Sequence, residues 1–139
     1  MTVTREVVQL MGEIAARYND GYESAAGDHQ LTAMQAKLLM LVAAEPQPMR
    51  RLAEVFHCDP SNVTGIADRL ERRGLVLREP STADRRVKNI TITPAGREVV
   101  ADLRGSLGFA AEPLKALTEQ ERVQLRDLLL RMLGRSPQL

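Results

Sequence analysis

The sequence has few aromatic side chains and few that bind metals or form disulfides. Its 139 residues include no tryptophan, two tyrosines, two phenylalanines, two histidines and one cysteine, Cys58. A single cysteine excludes an internal disulfide framework and fits a reducing compartment, so we expect a cytoplasmic protein. Two histidines and one cysteine are too few for a typical zinc site, and we predict no metal and no cofactor. The core must be aliphatic, because aromatic residues make up 3% of the chain and hydrophobic residues 44%.

Features typical of enzymes and membrane proteins are also missing. No apolar run is long enough to span a bilayer, and the N-terminus lacks the basic-then-apolar order of a signal peptide. There is no glycine-rich phosphate loop and no nucleophile elbow, so we predict that the protein is not an enzyme. The net charge is only +1, yet Arg50–Lys88 holds 9 basic and 6 acidic residues against 10 and 12 in the remainder. A basic centre with an acidic surround favours a polyanionic partner.

The stretch Asp59–Gly74 predicts a short helix with well-marked ends. The Asp59 carboxylate can cap the first backbone N–H groups, and Pro60 suits the first helical position. Gly74 can adopt the left-handed conformation that ends many helices. One face is apolar at helical spacing and consists of Val63, Ile66, Ala67 and Leu70. The other face carries short polar side chains, a glycine and charges, namely Ser61, Asn62, Thr64, Gly65, Asp68, Arg69 and Arg72.

This polar face suits a DNA major groove, since hydroxyls and amides can reach base edges and arginines can reach guanine or phosphate. By itself it fits an ordinary amphipathic surface helix equally well. Gly65 would allow either close approach of DNA or packing against a neighbour, and Asp68 is expected to pair with Arg86 or Arg72. Four arginines are candidate phosphate anchors or plain surface charges: Arg50, Arg51, Arg72 and Arg73.

Helices are predicted on the N-terminal side of this stretch. The first covers residues 3 to about 24 and has a wide apolar stripe. The second, from Met34 to Ala44, follows a capping box at Thr32–Gln35 and is apolar around most of its circumference. The third covers Met49 to about His57. Two short helices joined by a turn of about three residues are typical of a helix-turn-helix, in which Cys58 lies in the turn and is interpreted as structural.

Beyond Gly74 the periodicity changes to that of strands. A short extended segment ends at Pro80, a polar turn follows, and Lys88–Thr93 alternates polar and apolar residues. A β-hairpin directly after a helix-turn-helix is a wing. A helix is then predicted from Thr93-Pro94 to about Phe109, and a capping box at Thr118–Glu121 opens a last helix.

Two segments of the chain resemble the MarR family of winged helix-turn-helix regulators. The first is Ser61–Val76. The second is Asp84–Gly96, which looks like the family's Asp-x-Arg wing and its Leu-Thr-x-x-Gly signature, with Ile92 in place of leucine. The opening of the last helix, Leu117-Thr118, is also similar. The resemblance covers nearly the whole chain.

The resemblance implies a mainly α fold with a small β-hairpin, in which N- and C-terminal dimerisation helices flank the winged helix-turn-helix. We expect residues 1–139 to form a single domain, with dimerisation helices in 1–31 and 108–139 and the DNA-binding lobe and connecting helix in 32–107. Such proteins are homodimers that bind pseudo-palindromic operators, usually as repressors, and many are released by a small phenolic or other aromatic effector. Independently, the apolar faces of the end helices are too large for a monomer of this size.

The predicted functional residues follow from this reading. The recognition helix 60–73 would enter the major groove and the wing 80–89 the minor groove, where the resemblance implies that Arg86 contacts DNA and Asp84 holds the shape of the wing. The predicted DNA contacts are Ser61, Asn62, Thr64, Gly65, Arg69, Arg72, Asp84, Arg85, Arg86 and Lys88. A predicted effector pocket consists of Met11, Tyr18, Tyr22, Met34 and Phe109, although methionine and aromatic residues at helical spacing are more often ordinary core. The alternative function is a winged helix used for protein docking or dimerisation without specific DNA binding.

Overall fold

The computed structural model describes residues 2–136, so the outer ends of the predicted ranges 1–31 and 108–139 lie outside it. The chain divides into two compact units, with the boundary between Leu107 and Gly108. The elements of the first unit are α1 (Val3–Gly27), α2 (Ala33–Ala44), β1 (Gln47–Pro48), α3 (Met49–Phe56), α4 (Pro60–Arg72), β2 (Val76–Pro80), β3 (Lys88–Ile92) and α5 (Pro94–Ser106). The first helix is therefore longer than predicted.

The second unit contains α6 (Gly108–Ala111), a 3₁₀ helix (Glu112–Ala116) and α7 (Glu119–Met132). The capping box that opens α7 is confirmed, because Thr118 Oγ1 accepts from the Glu121 N–H at 3.2 Å and Glu121 Oε2 accepts from the Thr118 N–H at 2.8 Å. The prediction of one helix running to about Phe109 is wrong. The helix ends at Ser106, in a segment where Gly105 and Gly108 lower the helical propensity.

Helix α2 supplies the centre of the aliphatic core. Leu38 and Leu39 are fully buried and Val42 is 1% exposed. The predicted capping box at its start is confirmed, because Thr32 Oγ1 accepts from the Gln35 N–H at 3.2 Å and Gln35 Oε1 accepts from the Thr32 N–H at 3.1 Å. Around α2 lie fully buried aliphatic side chains of α3, α4, β3 and α5, namely Leu52, Val63, Leu70, Ile90 and Leu103. None of the described helices is long and apolar enough to cross a membrane.

The sheet has three antiparallel strands in the order β1-β3-β2. Strands β2 and β3 form the predicted hairpin, with Val76 opposite Ile92 and Pro80 opposite Lys88. The segment Gln47–Pro48, for which the sequence predicts no strand, pairs with β3. Its strand character comes from the partner strand, because a two-residue segment containing proline has no periodicity of its own.

The end of the hairpin is fixed tightly to the start of α5. The Thr93 N–H donates to the Leu75 carbonyl at 3.1 Å, and Thr93 Oγ1 donates to the Gly74 carbonyl at 2.6 Å. Gly96 is required at this crossing, since a Cβ there would overlap the Leu75 carbonyl and the Ile92 side chain. This junction holds the base of the wing against the C-terminal end of α4.

Candidate nucleic-acid interface

Helix α4 is seated in the core by one face. Val63, Ala67 and Leu70 are fully buried, which confirms the apolar face predicted from the spacing. Helix α3 precedes it across a short turn in which His57 has a left-handed backbone with φ 49°. The His57 N–H donates to the Glu54 carbonyl at 3.3 Å. The two helices and their turn form the predicted helix-turn-helix.

The two ends of α4 differ in how far they follow the prediction. Gly74 has φ +71° and its N–H donates to the Glu71 carbonyl at 2.9 Å, as expected for a helix-ending glycine. The prediction that the Asp59 carboxylate caps the helix is wrong, because its side chain makes no cap hydrogen bond. The Asp59 backbone carbonyl instead accepts from the Asn62 N–H at 3.0 Å, and Pro60 at the first position leaves one fewer N–H to satisfy.

The opposite face of α4 is open to solvent. Its exposed members are the six predicted helix contacts, Ser61, Asn62, Thr64, Gly65, Arg69 and Arg72. Thr64 Oγ1 donates to the Pro60 carbonyl at 3.0 Å, which fixes the rotamer of that side chain. Around Gly65, no atom of residues 2–136 outside the local helix backbone lies within 4 Å of an added Cβ. Packing against a neighbour within the chain therefore does not explain this glycine.

Asp68 links α4 to the wing. It is half-buried and forms an ion pair with Nη2 of Arg78 on β2, and that nitrogen also donates to the Thr64 carbonyl at 3.4 Å. The predicted partners of Asp68, Arg86 or Arg72, are therefore wrong. Sequence reasoning missed Arg78, although a charge within a short strand beside a helix carrying an aspartate could have suggested it.

The wing loop between β2 and β3 is held by Asp84. Asp84 Oδ1 accepts from the Arg86 N–H at 3.1 Å and from Arg86 Nε at 3.2 Å, and the Asp84 carbonyl accepts from the Val87 N–H at 3.0 Å. These hydrogen bonds from Arg86 lower the pKa of Asp84. The Arg86 side chain is nevertheless 91% exposed. The loop thus presents a guanidinium in a fixed position, with Arg85 and Lys88 also exposed beside it.

Arg73 differs from the other candidate phosphate anchors. Its Nη1 donates to the Gln30 carbonyl at 2.9 Å and its Nη2 to the His29 carbonyl at 2.8 Å. Arg73 is thus exposed at the surface, but its guanidinium is bound to the α1–α2 turn. Arg50 and Arg72 are exposed, and Arg51 forms an ion pair with Glu54 at 3.6 Å. The partners of Arg73 are more than forty residues away, and no local pattern could have identified them.

The structure brings together two of the five predicted effector-pocket residues. The rings of Tyr18 and Tyr22 lie 5.1 Å apart. Lys37 Nζ lies 5.1 Å from the Tyr22 ring centroid and 5.6 Å from that of Tyr18. Tyr22 is 6% exposed, and its burial, together with Tyr18, raises its pKa to about 12. Met11 is exposed on α1, Met34 is half-buried on α2, and Phe109 lies on α6 in the second unit.

Two open clefts lie beside the interface. One, of about 490 Å³, is at the helix-turn-helix turn and is lined by Ala53, Glu54, His57, Cys58, Asp59 and Asn62. The other, of about 470 Å³, is at the base of the wing and is lined by Glu79, Pro80, Ser81, Thr82 and Arg85. The predicted effector residues line neither cleft. Within residues 2–136, no three His, Cys, Asp or Glu side chains are grouped so that they could hold a metal ion.

Helix α4 follows a tight turn and has one buried face and one exposed face. Together with the hairpin that follows it and exposes an arginine, it defines a winged helix-turn-helix domain. Comparison with known proteins identifies the family. The MarR family model matches residues 31–88. The HTH-type transcriptional repressor MdtR of Bacillus subtilis is 36% identical over 85 residues, which are 58% of this chain and 53% of that repressor. The chain thus spans about half the length of this relative.

Solved structures agree along almost the whole chain. The transcriptional regulator BldR from Sulfolobus solfataricus is 30% identical with a TM-score of 0.73, and the match covers 94% of this chain and 99% of that one. CouR from Rhodococcus jostii RHA1, bound to p-coumaroyl-CoA, has a TM-score of 0.85 at 24% identity, covering 95% and 94%. The chain belongs to the MarR family of winged helix-turn-helix transcriptional regulators.

Proposed function

We propose that this protein is a homodimeric, sequence-specific regulator that binds a pseudo-palindromic operator in double-stranded DNA. Helix α4 would lie in the major groove, with Ser61, Asn62 and Thr64 at base edges and Arg69 and Arg72 at guanine or phosphate. The wing would reach the minor groove with Arg86, supported by Asp84, Arg85 and Lys88.

The observation that carries this proposal is the division of α4 into two faces. Val63, Ala67 and Leu70 are fully buried and Ile66 is half-buried, while the Ser/Asn/Thr/Gly/Arg face is exposed beside a wing whose arginine is held by Asp84 but 91% exposed. A helix used only to complete a core would not need short hydrogen-bonding side chains on its outer face, nor a position without a side chain at Gly65. A docking surface would more often carry apolar or acidic residues there.

The end helices supply the proposed dimer contacts. On α1, Val3, Val8 and Ile14 are 74%, 64% and 69% exposed. On α7, Leu128 and Met132 are 53% and 59% exposed, Leu133 directly after the helix is 65% exposed, and the described part of α7 has no buried residue. Apolar faces of this extent are stabilised by a second copy, which removes them from water. Two-fold symmetry would place the two α4 helices about 34–36 Å apart, one turn of DNA.

Regulation by an aromatic molecule is the natural extension of this function. The relative MdtR is a repressor, and CouR is described as bound to p-coumaroyl-CoA. In this chain the rings of Tyr18 and Tyr22 lie 5.1 Å apart beside Lys37, and Tyr18 is 42% exposed, so we place the binding of a small phenolic compound at this pair. We therefore propose repression that such an effector relieves, with Met11 and Met34 as further pocket candidates. The same reading makes the protein a cytoplasmic regulator without enzymatic activity or cofactor.

The test is selection of binding sites from a random pool of duplex DNA, followed by gel shifts on the selected site at several salt concentrations. A two-fold consensus is expected, with an affinity that falls steeply as salt rises because phosphate contacts release counterions. Failure to enrich any sequence would favour the alternative of a docking or dimerisation module. Enrichment of a single, non-repeated site would contradict the two-fold model.

A further inference from the structure

Arg73 ties the end of the recognition helix to a distant turn. It is the residue that directly follows α4, and its guanidinium donates to two consecutive carbonyls, of His29 at 2.8 Å and of Gln30 at 2.9 Å. Both carbonyls belong to the turn between α1 and α2. Two parallel donations from one planar group fix orientation as well as distance, which the single ammonium of a lysine cannot do.

The turn that receives Arg73 is itself rigid. The His29 N–H and the Leu31 N–H both donate to the Ala26 carbonyl at 3.0 Å. Gln30 has a left-handed backbone with φ 56°, and Leu31 is 6% exposed. The guanidinium therefore binds to a fixed point on the α1–α2 scaffold.

Helix α4 is thus held from outside its buried face at two places. The Asp68–Arg78 ion pair joins its middle to strand β2, and Arg73 joins its C-terminal end to the α1–α2 turn. Ser61 lies roughly 18 Å along the axis from Arg73, at about 1.5 Å per residue. A tilt of about 5° at the Arg73 end would move the Ser61 end by about 1.5 Å, enough to lose the geometry of a hydrogen bond.

We propose that Arg73 is a positioning residue for base readout, which sets the angle of α4 through the His29 and Gln30 carbonyls and does not act as a phosphate anchor. This inference rests on the proposed function, in which the exposed face of α4 reads DNA. It predicts that loss of the two-pronged contact impairs sequence discrimination, whereas general attraction to DNA is retained.

The salt dependence of DNA binding distinguishes a residue that positions α4 from a residue that binds a DNA phosphate. A residue that neutralises a phosphate contributes about 0.9 to the slope of log affinity against log salt concentration. A residue that only orients the helix contributes nothing to that slope. Arg72, adjacent in sequence, exposed and lying in the last turn of α4, is the matched control for a phosphate contact.

The experiment compares the full-length wild type with Arg73→Ala, Arg73→Lys and Arg72→Ala. Each is titrated with the operator obtained by selection and with a scrambled duplex of the same length, at four salt concentrations. Circular dichroism at the assay temperature checks folding, and Arg73→Lys provides a milder variant that retains the charge.

For both Arg73 variants we expect operator affinity to fall about tenfold or more, scrambled-duplex affinity to stay within about twofold, and the salt slope to be unchanged. For Arg72→Ala we expect both affinities to fall by similar factors and the slope to fall by about one.

The proposal would be overturned by operator binding of Arg73→Lys at the wild-type affinity, or by an Arg73→Ala variant that behaves like Arg72→Ala. Retention of wild-type discrimination by a folded Arg73→Ala would do the same. If the wild type itself does not prefer the selected duplex over the scrambled one, the proposed function fails, and that result is distinct from failure of the positioning role.

Discussion

Gly65 stands in the middle of α4 although glycine is among the poorest helix formers. Within residues 2–136, only the local helix backbone lies near the place where its Cβ would be. Nothing in the fold of one chain therefore explains the missing side chain. The proposed DNA interface does, because a bare backbone position lets a groove wall approach the helix closely.

Gly65→Ala is expected to stabilise the fold and to weaken DNA binding. An alanine at an exposed mid-helix position should raise the free energy of unfolding by about 1 kcal/mol, and its methyl group should obstruct the groove. Urea denaturation and gel shifts on the selected operator measure the two effects. Gly105→Ala is a matched control on α5, since it too has open space around it and should leave operator affinity unchanged. A Gly65→Ala variant with wild-type affinity would remove this residue from the interface.

Tyr22 makes the stability of the protein sensitive to alkaline pH. Burial, with a contribution from Tyr18, raises its pKa from 10.0 to about 12 in the folded chain. The folded state therefore retains the phenolic proton over a range in which the unfolded chain loses it. The stabilisation from this group is present below pH 10 and is lost as pH rises toward 12.

Tyr22→Phe should remove that alkaline loss of stability. The measurement is the midpoint of urea unfolding at several values between pH 9 and pH 12, compared with wild type. The chain has only two tyrosines, so Tyr18→Phe leaves Tyr22 as the single phenol in an ultraviolet titration. Its ionisation should still occur above the ordinary value, since burial is the largest cause of the shift. Titration of Tyr22 near pH 10 would contradict the burial seen here.

In the wing, the Arg86 side chain is held by hydrogen bonds within its own loop and is also exposed to solvent. Asp84 binds both the backbone N–H and the guanidinium of Arg86, while most of that side chain remains in water. The hairpin is supported on one side by β1, which pairs with β3, and on the other by the Asp68–Arg78 link to α4. An isolated hairpin would be only marginally stable in water, so strand β1 and the Asp68–Arg78 ion pair stabilise the wing in one position.

Arg86→Ala should weaken operator binding by roughly 1–3 kcal/mol and leave the fold and the dimer intact. The reason is that this side chain is almost wholly exposed and that its hydrogen bonds, among residues 2–136, are made to Asp84 of the same loop. Fluorescence anisotropy on labelled operator gives the affinity, and gel filtration gives the oligomeric state. Arg104→Ala, an exposed arginine in the last turn of α5, should bind as wild type does. Equal affinity for Arg86→Ala and wild type would show that the wing assignment is wrong.

At the scale of the whole molecule, the proposed function depends on the two ends of the chain. The described part of α7 contains no buried residue, although its N-terminus is capped by a complete box at Thr118 and Glu121. An isolated helix of this length is marginal in water. Its exposed leucines therefore need a partner surface, which a second copy would supply.

A chain ending before Thr118 should lose the dimer and bind the palindromic operator much more weakly. Sedimentation equilibrium measures the association state. A point variant, Leu133→Glu, tests the same surface in the full-length chain, because this side chain is 65% exposed and its replacement removes no core contact of one protomer. Gln124→Glu, at an exposed position of α7, is the control for added charge. A folded, truncated monomer that still bound the full palindrome tightly would count against two-fold recognition.

The sequence by itself determined the features that depend on neighbours within a few residues. The capping boxes at Thr32 and Thr118, the end of α4 at Gly74 and its apolar face are local in this sense, because a helix turn brings together residues three or four apart. The family resemblance likewise depended on two continuous segments.

Tertiary structure alone decided the features whose partners are far apart in the chain. Strand β1 forms because it pairs with β3. Asp68 pairs with Arg78 and not with Arg72, which is nearer in the sequence, and Arg73 binds carbonyls of the α1–α2 turn. Each depends on which surfaces the packed core brings within hydrogen-bonding distance. The arrangement of the core therefore sets the angle at which α4 is held, although the sequence of α4 specifies which side chains it exposes.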